Sequence, residues 1–223
     1  MINTPKKLLA SLLLGSSLFL ASGVAITPVA YANIIQVASV DRTNPTAVTQ
    51  AALDNAITIL KKYPKVSSSD QALRNDIKQN VLPLLNSNYI ALSLLNTYAR
   101  TATKEQLVEF RTVIEDYMVN AFIEAMAFYN NQTVKIGNTN VVQNTATTAV
   151  NLVDGSTTYN IIFRLVNVNN QYGIVDFSAE GISLVNTKAT EWQPILRQSG
   201  VSGLTEYVKN HMNNILGDAT TNK

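Results

Sequence analysis

The stretch TTYNIIFRLVNVNNQYGIVDFSA, residues 157–179, decides the fold. Two runs rich in Ile, Val, Phe and Tyr, Thr157–Val168 and Tyr172–Ala179, meet at turn-forming residues in the Asn169–Gly173 region, the pattern of an antiparallel hairpin. In the first run Tyr159, Ile161, Phe163 and Leu165 share one face, and Asn160, Ile162, Arg164 and Val166 share the other. In the second, Val175 and Phe177 oppose Ile174, Asp176 and Ser178. Phe163 and Phe177 are therefore expected on adjacent strands with both rings on one inner face. Two more strand candidates lie upstream, Thr145–Val153 and Thr133–Ile136, and Asp154-Gly155 supplies the turn that makes the last three strands a meander.

Before Thr133 the period of the pattern changes from two to the helical one. Thr103 and Gln106 form a capping box that opens the clearest helix in the chain. Within it Leu107, Phe110, Ile114, Tyr117, Met118, Ala121, Phe122, Ala125, Met126 and Tyr129 fall on one stripe, and Glu105, Glu109, Glu115, Asp116 and Glu124 fall off it. Further upstream, Pro45 opens a helix that ends near Tyr63-Pro64. Ser68 and Gln71 suggest a second capping box, Pro83 must kink or break the helix that follows, and a third helix spans about 87–98. After the strands come two helices, near 190–199 with Trp192 and Pro194, and near 203–216. The class is α+β, with helices packed on one face of a small, curved antiparallel sheet of about four strands.

The N-terminus has the layout of a secretion signal. Lys6 and Lys7 precede an apolar stretch from Leu8 to Ile26, Pro28 breaks any helix, and Ala30-Tyr31-Ala32 offers a cleavage site. Residues 1–32 are accordingly expected to be removed, leaving 33–223 as one exported domain. An uncleaved anchor is the alternative, since the stretch approaches the ~20 residues that span a bilayer. Of 17 basic residues two leave with the leader, so 15 face 15 acidic ones, and a net charge near zero gives no footprint for nucleic acid. With no cysteine and one histidine, thiol nucleophiles, cysteine-ligated metals and a multi-histidine metal site within one chain are excluded.

Few residues invite a chemical role. His211, on the amphipathic C-terminal helix, reads as a surface or helix-edge side chain. Asp176 and Glu180 could pair for acid–base work, but four residues apart across a strand end they read better as turn or salt-bridge residues. Lys61, Lys62 and Lys65 suit a helix C-terminus. The apolar inner face of the sheet fits either a filled core beneath the Thr103–Tyr129 helix or the wall of a cavity for an apolar ligand.

A resemblance chooses between them. DFSAEGISL at 176–184, followed by Thr187-Lys188, Glu191-Trp192, Leu196-Arg197, Gly200 and Gly203-Leu204, resembles the MlaC or toluene-tolerance family of periplasmic phospholipid-binding proteins. Val81-Leu82-Pro83, Tyr89, Tyr98, Ala102-Thr103, Gln106, Phe110, Tyr117, Met126-Ala127-Phe128-Tyr129 and Gln132-Thr133 extend the likeness upstream. Residues 138–148 and the tail after Leu216 carry no motif of that family.

The resemblance implies helices around a highly twisted antiparallel sheet, NTF2-like, with a hydrophobic pocket for acyl tails and a largely exposed headgroup. It implies a monomeric carrier with no catalytic centre and no cofactor, with phospholipid as cargo. Such an auxiliary component of an ABC transport system shuttles lipid between outer-membrane lipoprotein–porin and inner-membrane Mla complexes, maintaining outer-membrane lipid asymmetry in a Gram-negative periplasm. The lipid-contacting residues expected on that basis are Phe110, Ile114, Tyr117, Phe122, Met126, Tyr159, Ile161, Phe163, Leu165, Val175, Phe177 and Trp192. An NTF2-like enzyme acting on a small apolar substrate, which would need a buried acid, and an exported interaction module are the alternatives.

Overall fold

The computed structural model describes residues 33–65, 67–126, 129 and 132–212. The expected leader and the C-terminal tail lie outside the described residues, as do Ala127 and Phe128 of the quoted motif. The element order is α1 (Pro45–Lys62), α2 (Gln71–Asn80), α3 (Ser87–Leu95), α4 (Lys104–Met126), β1 (Thr133–Val142), β2 (Thr145–Asp154), β3 (Thr157–Val168), β4 (Gln171–Ala179), β5 (Ile182–Ser183) and α5 (Leu184–Asn210). The strands form one antiparallel sheet in sequence order, a meander throughout. The α+β architecture is thus as expected, with a short fifth strand and a longer first hairpin. That hairpin occupies the segment in which no family motif was seen.

Local chemistry explains most boundaries. Asn44 caps α1 by accepting from the Thr46 and Ala47 amides, with Pro45 at the first helical position. The capping box of α4 forms in both directions: Thr103 N donates to Gln106 Oε1 at 2.9 Å, and Gln106 N donates to Thr103 Oγ1 at 3.2 Å. For α2 the cap is Asp70, whose Oδ1 takes the amides of Ala72 and Leu73, so the expected box from Ser68 does not form. Aspartate caps as well as serine and adds its charge at the positive end of the helix dipole, so the boundary moves by two residues. Pro83 falls after the end of α2, in a 3-10 turn over Leu82–Leu84. The two expected C-terminal helices abut as one span whose only non-helical residue is Gly200, at φ 62 and ψ −166, while Pro194 is held inside its first half.

The packing departs from a sheet covered on one face. Tyr172 and Ile174 of β4 join Val48, Ala51 and Ala52 of α1 in one core, together with Leu165. Val175 joins a second core built from α3, α4 and α5, including Phe110, Ile114, Trp192 and Leu204. Consecutive residues of β4 therefore serve two cores, and Tyr172, Gly173, Ile174, Val175 and Asp176 are all buried. Alternation alone puts Ile174 and Val175 on opposite faces, and a register shift adds a bulge there: Arg164 pairs Asp176 whereas Leu165 pairs Ile174, so Val175 is the extra residue.

Candidate functional site

Between these elements lies an apolar cavity of about 200 Å3. Its floor is β4, through Ile174, Val175, Asp176 and Phe177, and its roof is α4, through Ile114, Tyr117, Met118, Ala121, Phe122 and Ala125. The end of α2 and the turn after it contribute Ile77, Val81, Leu82 and Leu85; α3 adds Ile90 and Leu94; α5 closes the far side with Leu184, Val185, Lys188 and Trp192. Tyr117 meets Trp192 edge to face, with ring centroids 5.3 Å apart and planes at 77°. Burial, reinforced by the nearby charges of Glu191 and Glu124, pushes the Tyr117 hydroxyl well above the usual tyrosine range.

Two ionisable side chains of opposite sign stand in this wall. Asp176 is buried and fully engaged: Ser183 Oγ donates to Oδ2 at 2.6 Å and the Val185 amide donates to Oδ1 at 3.1 Å. It ties the start of α5 to β4, with its negative charge at the positive end of the helix dipole. Lys188 pairs with Glu191 at 2.9 Å one turn further on. Glu180 accepts from the Asn160 amide at a turn, and His211 stacks on Tyr207 at the end of α5, its Nδ1 2.7 Å from the main-chain oxygen of Tyr207. These are the turn and helix-edge positions expected of them. No group of acidic or histidine side chains suited to a metal ion occurs among the described residues.

Six of the expected lipid-contacting residues come together on this wall: Ile114, Tyr117, Phe122, Val175, Phe177 and Trp192. The other six do not. Phe110 is fully buried in the α3–α4–α5 core, and Met126 packs with Ile59, Leu73 and Val119. Leu165 and Phe163 belong to the core under α1, and Tyr159 and Ile161 are half-buried further along β3. Phe163 does pair with Phe177 across the strands, rings 6.1 Å apart, but the cavity begins at Phe177. Sequence reasoning missed the α2–α3 side of the wall. Of its residues only Val81 and Leu82 stand out in the sequence, in the Val81-Leu82-Pro83 motif, and nothing in a hydrophobic pattern says that it faces a gap and not a neighbour.

Comparison with known proteins agrees with this architecture. The MlaC protein family model matches residues 50–210. A curated relative from Haemophilus influenzae, the intermembrane phospholipid transport system binding protein MlaC, is 22% identical over 186 residues, covering 80% of this chain and 87% of its own. Among solved structures, a phospholipid-binding protein from Ralstonia solanacearum in complex with a phospholipid superposes with a TM-score of 0.66 at 16% identity, covering 74% of this chain and 95% of that one. Its likeness establishes the fold. With the family model matched from α1 to the end of α5, this chain belongs to the MlaC family.

Proposed function

We propose that the protein is a periplasmic phospholipid carrier: residues 1–32 a cleaved leader, residues 33–223 one lipid-binding domain that moves its cargo between outer-membrane and inner-membrane Mla complexes. The observation that carries this reading is the apolar cavity between α4, β4 and α5 in a chain of this family. The names of the two relatives, one a transport binding protein and one a phospholipid complex, support it.

Physics favours the role. Two acyl chains hold on the order of 30 methylenes at ~0.8 kcal/mol each, so crossing water unshielded costs roughly 25 kcal/mol. An apolar interior removes most of that while leaving exchange with a membrane nearly balanced. At ~10–15 Å3 of such cavity volume for each water-sized group, a cavity of about 200 Å3 holds about 13–20 methylenes, short of the ~30 in two chains. Loading therefore requires α4 to separate from β4 and α5, and the wall suits this, being a seam between elements and not the inside of one. For the enzyme reading, the carboxylate on the wall is Asp176, and both its oxygens are occupied as a helix cap.

Native mass spectrometry of the mature protein purified from a bacterial periplasm tests the proposal, together with analysis of solvent-extracted lipid. Co-purifying phospholipid in near one-to-one amount is the expected result. A folded protein that carries none and takes none from vesicles overturns it.

A further inference from the structure

The tail cavity has a polar neighbour. Leu82 and Leu85 stand in its wall and also in the wall of a second cleft, of about 500 Å3, on the other side of the same turn. That volume falls within the ~300–1,000 Å3 of small-molecule sites. Into it the fold brings Arg42, Lys78 and Arg111, with Glu115 the one carboxylate of the lining.

The three cations are unequally committed. Arg42 donates to the main-chain oxygens of Tyr172 and Pro83 at 3.0 to 3.3 Å and so clamps β4 to the turn. Lys78 pairs with Asp116 at 2.6 Å. Arg111 is different. Its Nε is buried and donates to nothing among the described residues. Its ion pair with Glu115 is 3.9 Å long, beyond hydrogen-bonding reach. With 43% of its side chain exposed and no acceptor at Nε, Arg111 has the least of its hydrogen-bonding capacity committed among the three cations, and an incoming oxyanion would give its exposed part a charge-assisted bond. The start of α3 adds to the field, because Ser87 and Asn88 open that helix in the cleft wall, where the dipole is positive.

We propose that this cleft binds a phosphate group, with Arg111 as the direct ligand and Lys78 as a flanking charge. Glu115 competes with the anion for Arg111. Two sources share the chemistry. One is the phosphodiester of a carried lipid whose tails lie across the Leu82–Leu85 wall, which rests on the carrier reading; the other is a free phosphate ester, which does not.

The test is a titration of lipid-stripped mature protein with inorganic phosphate, followed by amide NMR, on wild type, Arg111→Gln and Glu115→Gln, with circular dichroism to show that each is folded. The Ser87 and Asn88 amides should shift in wild type. Arg111→Gln should weaken binding by about tenfold or more, as loss of a charged hydrogen bond does. Glu115→Gln should tighten it, and added potassium chloride should weaken it in wild type. No response at Ser87 and Asn88, or an affinity unchanged in Arg111→Gln, overturns the site. Repeating the titration on protein loaded with a diacyl phospholipid separates the sources. A lost response assigns the cleft to the lipid's own phosphate, and a retained one assigns it to a free ester. If no lipid can be loaded, the carrier reading fails while the response of the stripped protein still scores the site.

Discussion

Tyr117 joins the chemistry of the wall to the stability of the domain. Its ring packs on Trp192, and burial, with Glu191 and Glu124 nearby, raises the affinity of its hydroxyl for the proton above the ordinary tyrosine value of 10.0. The folded state therefore keeps this proton at pH values where the unfolded chain has released it. Stability from the group is complete below pH 10 and is lost as pH rises beyond it, because the unfolded state then binds fewer protons. Denaturant titrations between pH 8 and 11.5 should show a decline in alkali that is shallower in Tyr117→Phe than in wild type; equal slopes would show that Tyr117 does not contribute. The phenylalanine pair gives a second residue-scale prediction. Phe177 is 36% exposed at the cavity edge, so Phe177→Asp should leave the domain folded and abolish lipid retention. Phe163 packs against the core under α1, in which Val48 and Leu165 are fully buried, so Phe163→Asp should instead lower the melting temperature sharply, before any question of lipid arises. Thermal melts paired with extracted-lipid analysis check both. Alternation in the sequence was enough to pair these two rings, but it could not separate their surroundings. A bulge at Val175 breaks the register between the Phe163–Phe177 pair and the Leu165–Ile174 pair, and IVDF carries no glycine or proline to mark it.

At the scale of elements, what the sequence made legible was what is locally encoded. The capping box of α4 and the strand limits Thr157–Val168 depend on neighbours within a few residues, and they stand where the pattern puts them. The start of α2 differs from the expected one because two capping signals compete and Asp70, with its charge at the helix dipole, caps in place of Ser68. The first half of α5 begins at Leu184, well before residue 190, because its cap comes from Ser183 and from Asp176 on another strand. That partner is far from obvious in a linear reading. The joint at Gly200 yields a prediction. Its φ of 62 and ψ of −166 lie where essentially glycine alone is at ease. No atom lies within 4 Å of a Cβ built there, so space is not the constraint and backbone strain is. Gly200→Ala should cost about 1–3 kcal/mol, read as a lowered urea midpoint with an unchanged slope. A neutral result would mean that the two halves of α5 can straighten at no cost. Since Trp192 precedes the joint and Leu204 and Val208 follow it, all buried in the same core, straightening would pull one half away from that core.

For the molecule as a whole, the cavity is the feature no single segment encodes. Its wall is drawn from residues between Ile77 and Trp192, and its volume is the small remainder after five elements have packed. Hydrophobic pattern fixes which side chains leave water; it does not fix whether they close on each other. A volume-filling substitution tests whether that remainder is used. Ala121 lines the cavity from α4 without being fully buried, so a larger apolar side chain there can enter the space with little displacement of its neighbours. In a solid core, Ala121→Leu would overpack and destabilise by about 1–3 kcal/mol. In a cavity of about 200 Å3, the added methyl and methylene groups meet apolar wall that otherwise lacks contacts, and stability should hold or rise. Cargo should respond in the opposite direction. Each added group takes room from an acyl chain, and the widening that loading requires must then be greater. The expected result is an unchanged or higher melting temperature for the lipid-stripped protein, with less phospholipid recovered per mole of protein from the periplasm. A fall in melting temperature with undiminished lipid would place the cargo elsewhere than between α4 and β4.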